Sequence, residues 1–299
     1  MFFHRSRTIL IQVILILTLG LSACGPLFGT RATPTPPGPT ATPVPPTATP
    51  EPMALTVDGE GVTVVEFKAE LVRYKSAQTA LGKTVSDTDA SKAVIEDLIA
   101  QVLLARGATA AGFELTDTAL QARVDALTTQ LGGVDKLSAW ESGHGYTDAS
   151  FHTALRRSTE AAWMRDKIAG AVPSSADQVH AQQILIFNAD EAQTVLAQLK
   201  GGADFNGLAL KYDPNAHGDL GWFPKGYLLD PKIEEAAFSL QPGQFSDVIQ
   251  TDIGFHIIKV LEHDPQHTLS PDAYLSQQEQ ALKNWVAQQR TQATVVLAP

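Results

Sequence analysis

The chain has 299 residues and a formal net charge of −10 at pH 7, a length that leaves room for about two domains. Phosphate contacts dominate the affinity of nucleic-acid-binding proteins, so an acidic chain without a basic cluster is not expected to bind nucleic acid. Cys24 is the only cysteine in the sequence, which excludes an intrachain disulfide and a cysteine-based metal site.

The N-terminus has the pattern of an export signal. Two arginines precede an apolar run of 13 residues (9–21), which is too short to span a bilayer comfortably. The run leads into LSAC, which ends at Cys24 and resembles the lipobox of bacterial lipoproteins. The resemblance implies a signal peptide over residues 1–23, lipidation of Cys24 and attachment to the outside of the cell membrane. An ordinary secretory signal followed by a free cysteine is the alternative.

A proline-rich spacer follows. Residues 33–52 read TPTPPGPTATPVPPTATPEP, and proline both fixes φ and removes the N–H group that helices and sheets need. We therefore expect residues 24–53 to comprise the lipidated cysteine and a semi-rigid polyproline linker.

The pattern of residues 54–172 is typical of a helical domain. After a short strand near Leu55, apolar residues at helical spacing predict helices over 65–80, 91–105, 117–131 and 148–168, and another that begins around Asp135. Gly107 is expected to stop the second of these helices. The segment LGKT (81–84) looks like part of a phosphate-binding loop, but Ala77 stands where that loop needs glycine, which argues against nucleotide binding.

Short strands and short helices alternate after Pro173. Strands are predicted over 179–187, 245–250 and 254–262. Helices are predicted over 190–200 and 204–211, and a third from Asp230, an N-cap, through Phe238. The tripeptide 241–243 (Gln-Pro-Gly) predicts a type II turn.

The C-terminal residues predict one more helix and one more strand. The helix covers 271–290 and is expected to place Leu275, Leu282, Trp285 and Val286 on one face. The tail TVVL (294–297) is β-branched and is expected to pair with the strand near Leu55.

A histidine interrupts the apolar strand GFHIIKV (254–260). Because side chains alternate across a strand, His256 shares a face with Ile258 and Val260. The residue is either a buried histidine that one hydrogen bond satisfies or part of a functional site. His263 and His267 have the spacing of helical metal ligands, but the proline between them argues against a helix, and no metal site is predicted.

Five sequence words carry a family resemblance: AQQIL, GADFNGLALKY, GDLGWFPKG, EEAAFSLQPGQFSDVIQT and GFHIIKV. Their wording and order between residues 177 and 263 resemble the parvulin family of peptidyl-prolyl isomerases. The resemblance implies an α+β fold with a four-stranded antiparallel sheet and surrounding helices in that domain. The wider organisation resembles extracytoplasmic foldases of the PrsA and SurA kind, in which the helical chaperone domain is completed by a C-terminal segment, here the helix and strand of 268–299.

The same resemblance implies an activity. An enzyme of this family isomerises X–Pro peptide bonds, in this case in unfolded or folding secreted polypeptides, and uses neither a cofactor nor a metal. The alternative is a chaperone whose parvulin domain is catalytically weak or inactive. Neither the clients nor the oligomeric state follow from the sequence.

The resemblance also assigns residues to the site. His256 falls at one of two facing histidine positions and Gln183 falls at the other, where the family has the second histidine. Asp213 lies in a shortened loop before GDLG and could take that loop's acidic role. The substrate-binding residues implied are the apolar wall of the proline pocket and its polar edge: Leu220, Leu228, Ile233 and Thr251. Ile233 replaces an aromatic residue of the family.

Overall fold

The computed structural model describes residues 51–228 and 230–298. The predicted signal peptide, the lipidation site Cys24 and nearly all of the proline-rich linker lie outside the described residues. None of the helices in the described ranges is long and apolar enough to cross a membrane.

The described residues have the predicted α+β architecture. The first elements are β1 (Met53–Val57), β2 (Glu60–Thr63), α1 (Val64–Ala80), α2 (Asp87–Ala110), α3 (Asp117–Leu131), α4 (Val134–Gly143) and α5 (Asp148–Gly170). They are followed by β3 (Ser175–Ile186), α6 (Ala189–Lys200), α7 (Phe205–Tyr212), β4 (Asp219–Pro224), α8 (Pro231–Ser239), β5 (Ile249–Thr251) and β6 (Gly254–Thr268). The last elements are α9 (Pro271–Gln292) and β7 (Val295–Leu297).

Hydroxyl side chains set the start of most N-terminal helices. Thr63, Ser86, Thr116 and Thr147 each accept a hydrogen bond from the backbone N–H at the third helical position. Such a bond satisfies one of the N–H groups that a helix start leaves unpaired. The Ser86 cap explains why α2 begins before the apolar pattern that predicted it.

The prediction that Gly107 stops the second helix is wrong, because α2 continues to Ala110. Gly107 lies where α2 meets α9, and a Cβ added there would approach the Trp285 ring to 2.5 Å. The Trp285 ring therefore leaves no room for a side chain at this position, which explains a glycine inside the helix although glycine is a poor helix former.

The C-terminal elements complete the helical part of the chain. Strand β7 pairs with β1, with Leu55 opposite Leu297, in a sheet of order β2-β1-β7, as predicted. Leu282, Trp285 and Val286 pack on the helical core. Leu275 does not, and is 58% exposed, because polar contacts hold this part of α9: Gln278 Nε2, for example, donates to the Ala169 carbonyl at 3.1 Å.

The second sheet is antiparallel and four-stranded, with the order β4-β3-β6-β5. Its central pair, β3 and β6, runs from Ser175 opposite Thr268 to Ile186 opposite Phe255, so both strands are longer than predicted. Helices α6 and α7 pack on one face around Ile184 and Ile257. Helix α8 packs on the other face around Phe223 and Ile258.

Strand β5 is shorter than predicted. Regular pairing covers only Ile249–Thr251, and Phe245 makes a single bridge to Lys259. Between them the Ser246 hydroxyl accepts the Ile258 N–H at 2.9 Å. The serine hydroxyl thus accepts a hydrogen bond that a backbone carbonyl would accept in a regular ladder. An apolar side chain could not do this.

Candidate active site

The strand alternation of β6 turns His256 toward the face covered by α8. The residue is 1% exposed, and both ring nitrogens have partners. Nδ1 lies 2.9 Å from Gln183 Oε1, and Nε2 lies 2.9 Å from Thr251 Oγ1. Gln183 comes from β3 and Thr251 from β5, so three neighbouring strands supply one hydrogen-bonded chain.

The ring's surroundings favour its neutral form. Burial lowers the pKa of the His256 imidazole, and the charge of Asp230 opposes this shift only in part. A neutral imidazole donates from one nitrogen and accepts at the other. With the Gln183 oxygen facing the ring, Nδ1 donates to Gln183 and Nε2 accepts the Thr251 hydroxyl proton.

The predicted apolar wall lies on the same face of the sheet. Ile233, on α8, is buried in the cluster that contains Phe223 and Ile258, and Leu220 and Leu228 pack against it. Leu220 comes from β4 and Leu228 from the loop before α8. The structure therefore brings together all of the residues predicted to bind substrate, since Thr251 is the hydrogen-bond partner of His256.

Asp213 organises a loop beside Gln183. Its carboxylate accepts the backbone N–H groups of Ala216 at 3.0 Å, Gly218 at 3.1 Å and Asn215 at 3.2 Å. These bonds, those of Ala216 and Gly218 foremost, lower the pKa of Asp213, so the side chain is ionised and has no proton to give at neutral pH. Asp213 and Gln183 both line a cavity of about 200 Å³.

The loop needs glycine at its end. Gly218 has φ +68°, and a Cβ there would lie 1.9 Å from the Gln183 carbonyl oxygen. The close approach allows the Gly218 carbonyl to accept the Gln183 N–H at 2.8 Å. The loop thus supports the backbone of the residue that contacts His256.

Sequence reasoning did not assign several residues of this face to the site, among them Ile249 and Tyr227. Both pack against the same apolar cluster as Ile233. Alternation could have identified Ile249, because it lies two residues before Thr251 on the same strand. No sequence signal marks Tyr227, which lies in an irregular loop. No group of three or more histidine, cysteine or acidic side chains within 51–228 and 230–298 is placed to hold a metal ion.

Comparison with known families identifies the sheet and its helices. Residues 174–262 match the rotamase family model described as the PPIC-type PPIase domain. This part of the chain is a PpiC-type PPIase domain. The domain contains all seven predicted site residues other than the lipidation site: Gln183, Asp213, Leu220, Leu228, Ile233, Thr251 and His256.

Curated relatives carry the name foldase protein PrsA. The chain is 29% identical to that of Geobacillus kaustophilus over 189 residues, which cover 60% of this chain and 65% of the relative. It is 41% identical to that of Oceanobacillus iheyensis over 88 residues, 28% of this chain and 29% of the relative. The chain thus spans less than two thirds of these relatives. A crystal structure of peptidylprolyl isomerase (PrsA) from Bacillus cereus aligns at 19% identity with a TM-score of 0.42, covering 78% of this chain and 83% of that one.

Proposed function

We propose that the protein is an extracytoplasmic foldase that binds unfolded secreted polypeptides and catalyses the cis–trans isomerisation of their X–Pro bonds. The observation that carries this proposal is the hydrogen-bonded chain Gln183–His256–Thr251, which lies on the same face as the apolar wall of the PPIase domain. The name foldase, borne by the PrsA relatives, supports the choice of client.

The chemistry needs no nucleophile. The barrier to rotation is about 18–20 kcal/mol and arises from amide resonance, which places partial positive charge on nitrogen and partial negative charge on oxygen. Apolar surroundings stabilise this charge-separated planar form less than water does. A wall of Leu220, Leu228 and Ile233 that takes up the proline ring would therefore favour the twisted amide over the planar one.

We assign the polar residues to the edge of this pocket. Among the three hydrogen-bonded residues, we assign Thr251 to the polar edge. Its hydroxyl is oriented by the hydrogen bond to His256. Gln183 holds the other nitrogen of the ring and so fixes the tautomer. Gln183 in this way takes the place of the second histidine of the family. Asp213 contributes by ordering the loop that supports Gln183.

The division of labour follows the two parts of the fold. We assign residues 54–172 together with 268–299 to client binding and 177–263 to isomerisation. A cleft of about 710 Å³ in the helical part supports this assignment. Its apolar lining includes Leu104, Trp140, Tyr146, Phe151 and Val286, and acidic and basic side chains line the rest. The apolar part of this surface suits apolar segments of an unfolded chain.

Localisation rests on the N-terminal sequence. We propose cleavage after residue 23 and lipidation of Cys24, so that the linker of residues 24–53 holds the folded part away from the membrane. The support is the LSAC motif at the end of the 13-residue apolar run. Fractionation of cells that express the full chain tests the anchor, since a lipidated protein sediments with membranes.

The isomerase activity is tested with His256→Ala. Wild type should catalyse isomerisation of short X–Pro peptides in a protease-free assay, and the variant should lose most of its kcat/KM because Thr251 and Gln183 lose their shared partner. The variant should also lose about 1–3 kcal/mol of stability, since buried polar groups are left unsatisfied. The control is His263→Ala, which removes an exposed histidine from the same strand.

Two outcomes would contradict the proposal. Equal kcat/KM in wild type and in folded His256→Ala would remove the histidine from the mechanism. The absence of catalysis in wild type on a panel of different residues before proline would leave a chaperone without isomerase activity.

A further inference from the structure

The carboxylate of Glu234 is surrounded by three consecutive backbone N–H groups. Oε1 accepts the N–H of Gly226 at 2.7 Å, and Oε2 accepts those of Tyr227 at 3.1 Å and Leu228 at 3.2 Å. Successive N–H groups of a turn form a concavity that binds anions. Hydrogen bonds to an ionised acceptor are about twice as strong as those between neutral groups, so this contact ties the loop to the first turn of α8.

The loop carries one side of the proposed proline pocket. Leu228 packs against the cluster that contains Ile233, and Ile233 directly precedes Glu234 in α8. A single turn of α8 therefore holds two residues of the apolar wall. Ile233 is held by its own packing, and Leu228 is held by the Glu234 carboxylate.

The same turn of α8 also contacts the polar edge. Lys232 Nζ donates to the Gln250 carbonyl at 3.0 Å, and Gln250 precedes Thr251 in β5. One turn of α8 thus contacts both the loop that carries Leu228 and the strand that carries Thr251. Catalysis requires side chains to be held close to one geometry, and contacts to a single helix help to hold them there.

We propose that Glu234 is a positioning residue of the isomerase, which sets the separation of Leu228 and Ile233 by binding the three N–H groups of residues 226–228. The inference rests on the proposed function and adds a determinant of how tightly the proline ring is held. Leu228 would hold the proline ring in the planar as well as the twisted state, so its displacement should raise KM as well as lower kcat.

Four proteins test the inference: wild type, Glu234→Ala, Glu234→Gln and the control Glu235→Ala, which changes an exposed glutamate on the same helix. We expect Glu234→Ala to lower kcat/KM for an X–Pro peptide by about tenfold, since small displacements of positioning groups have effects of this size or larger. The kcat/KM of Glu234→Gln should lie between those of wild type and Glu234→Ala. Its amide keeps one acceptor oxygen, but its NH2 group faces a backbone N–H and cannot accept from it. Glu235→Ala should match wild type.

The effect of Glu234→Ala is measured again in the Leu228→Ala variant, to distinguish a positioning role of Glu234 from a purely structural one. If Glu234 acts through Leu228, then Glu234→Ala should change KM far less when Leu228 is already truncated, whereas its effect on the unfolding midpoint should persist. The same change in KM in both backgrounds would overturn the inference. Wild-type kcat/KM in a folded Glu234→Ala would overturn it as well.

Failure of the proposed function gives a different result. If wild type binds the peptide without isomerising it, the proposed activity is wrong. The inference is then tested on the dissociation constant of the same peptide, followed by amide chemical shifts in the four proteins. Equal dissociation constants in wild type and Glu234→Ala would overturn it, and about tenfold weaker binding by the variant would support it.

Discussion

His256 is a buried histidine whose neutral form fits its surroundings. Burial lowers the pKa of the imidazole, so the pKa in the folded state lies below the value of about 6.5 for an unfolded chain. Between these two pKa values the unfolded chain binds more protons than the folded one. The stability that His256 contributes is therefore complete above about pH 6.5 and declines as the pH falls toward the folded-state pKa.

A second histidine at position 183 should sharpen this behaviour. We expect Gln183→His to fold and to keep or raise turnover at pH 7.5, because the new ring can supply the hydrogen bond that Gln183 Oε1 now makes. Two facing imidazoles cannot both be protonated without repulsion, so the unfolding free energy should fall more steeply between about pH 7 and pH 5 than in wild type. Urea unfolding at several pH values measures this slope. A variant with the wild-type slope would show that position 183 does not face His256 in solution.

At the scale of the element, the sequence is a good guide where local chemistry sets a boundary. Helix α3 was predicted over its observed range, because Thr116 caps its start and Gly132, with φ +93°, ends it. The type II turn of residues 241–243 is likewise confirmed, with φ +87° at Gly243. These signals lie within a few residues of the structure they determine.

The features that the sequence did not reveal depend on distant partners. The length of β5 depends on a Ser246 hydroxyl that meets Ile258, and the path of α2 through Gly107 depends on Trp285. The role of the Glu234 side chain depends on the conformation of the loop before α8. Neither hydrophobic period nor turn chemistry records such contacts, because they form only when the elements pack. In the site, the residue set and the facing of Gln183 and His256 came from family resemblance, whereas Thr251 as the partner of the other ring nitrogen came only from the structure.

Gly107→Ala tests the packing of α2 against α9. Alanine would favour the helix by about 1 kcal/mol over glycine, but its Cβ would overlap the Trp285 ring, with a predicted approach of 2.5 Å. Overpacking of this kind costs about 1–3 kcal/mol, so we expect a net loss of stability in thermal unfolding. Gly170→Ala, at the last residue of α5 and with open space around it, is the control and should be neutral or stabilising.

The Trp285→Leu background identifies the cause. There the clash is removed, so Gly107→Ala should become neutral or stabilising relative to Trp285→Leu alone. Equal destabilisation in both backgrounds would mean that the glycine is required for a reason other than the tryptophan.

At the scale of the whole molecule, the PPIase domain enters and leaves the helical part through adjacent strands. Ser175 lies opposite Thr268, and the Leu269 N–H donates to the Ser174 carbonyl at 2.9 Å. The two ends of the domain are therefore neighbours, as is common where one domain is inserted in another. Helix α9 keeps its own contacts to α5, such as the bond from Gln278 to Ala169, without the inserted domain.

This geometry permits a deletion that separates client binding from isomerisation. Removing residues 176–267 and joining Ser175 to Thr268 through a short glycine–serine linker should leave a helical protein, because the cores around α2 and α9 lie outside the deleted range. We expect this protein to suppress aggregation of a denatured client at light scattering while having no isomerase activity. Full-length His256→Ala is the control, since it should suppress aggregation as wild type does. Complete loss of suppression by a deletion protein that retains helical circular dichroism would show that clients bind to the PPIase domain instead, and that the cleft lined by Trp140 and Phe151 is not their site.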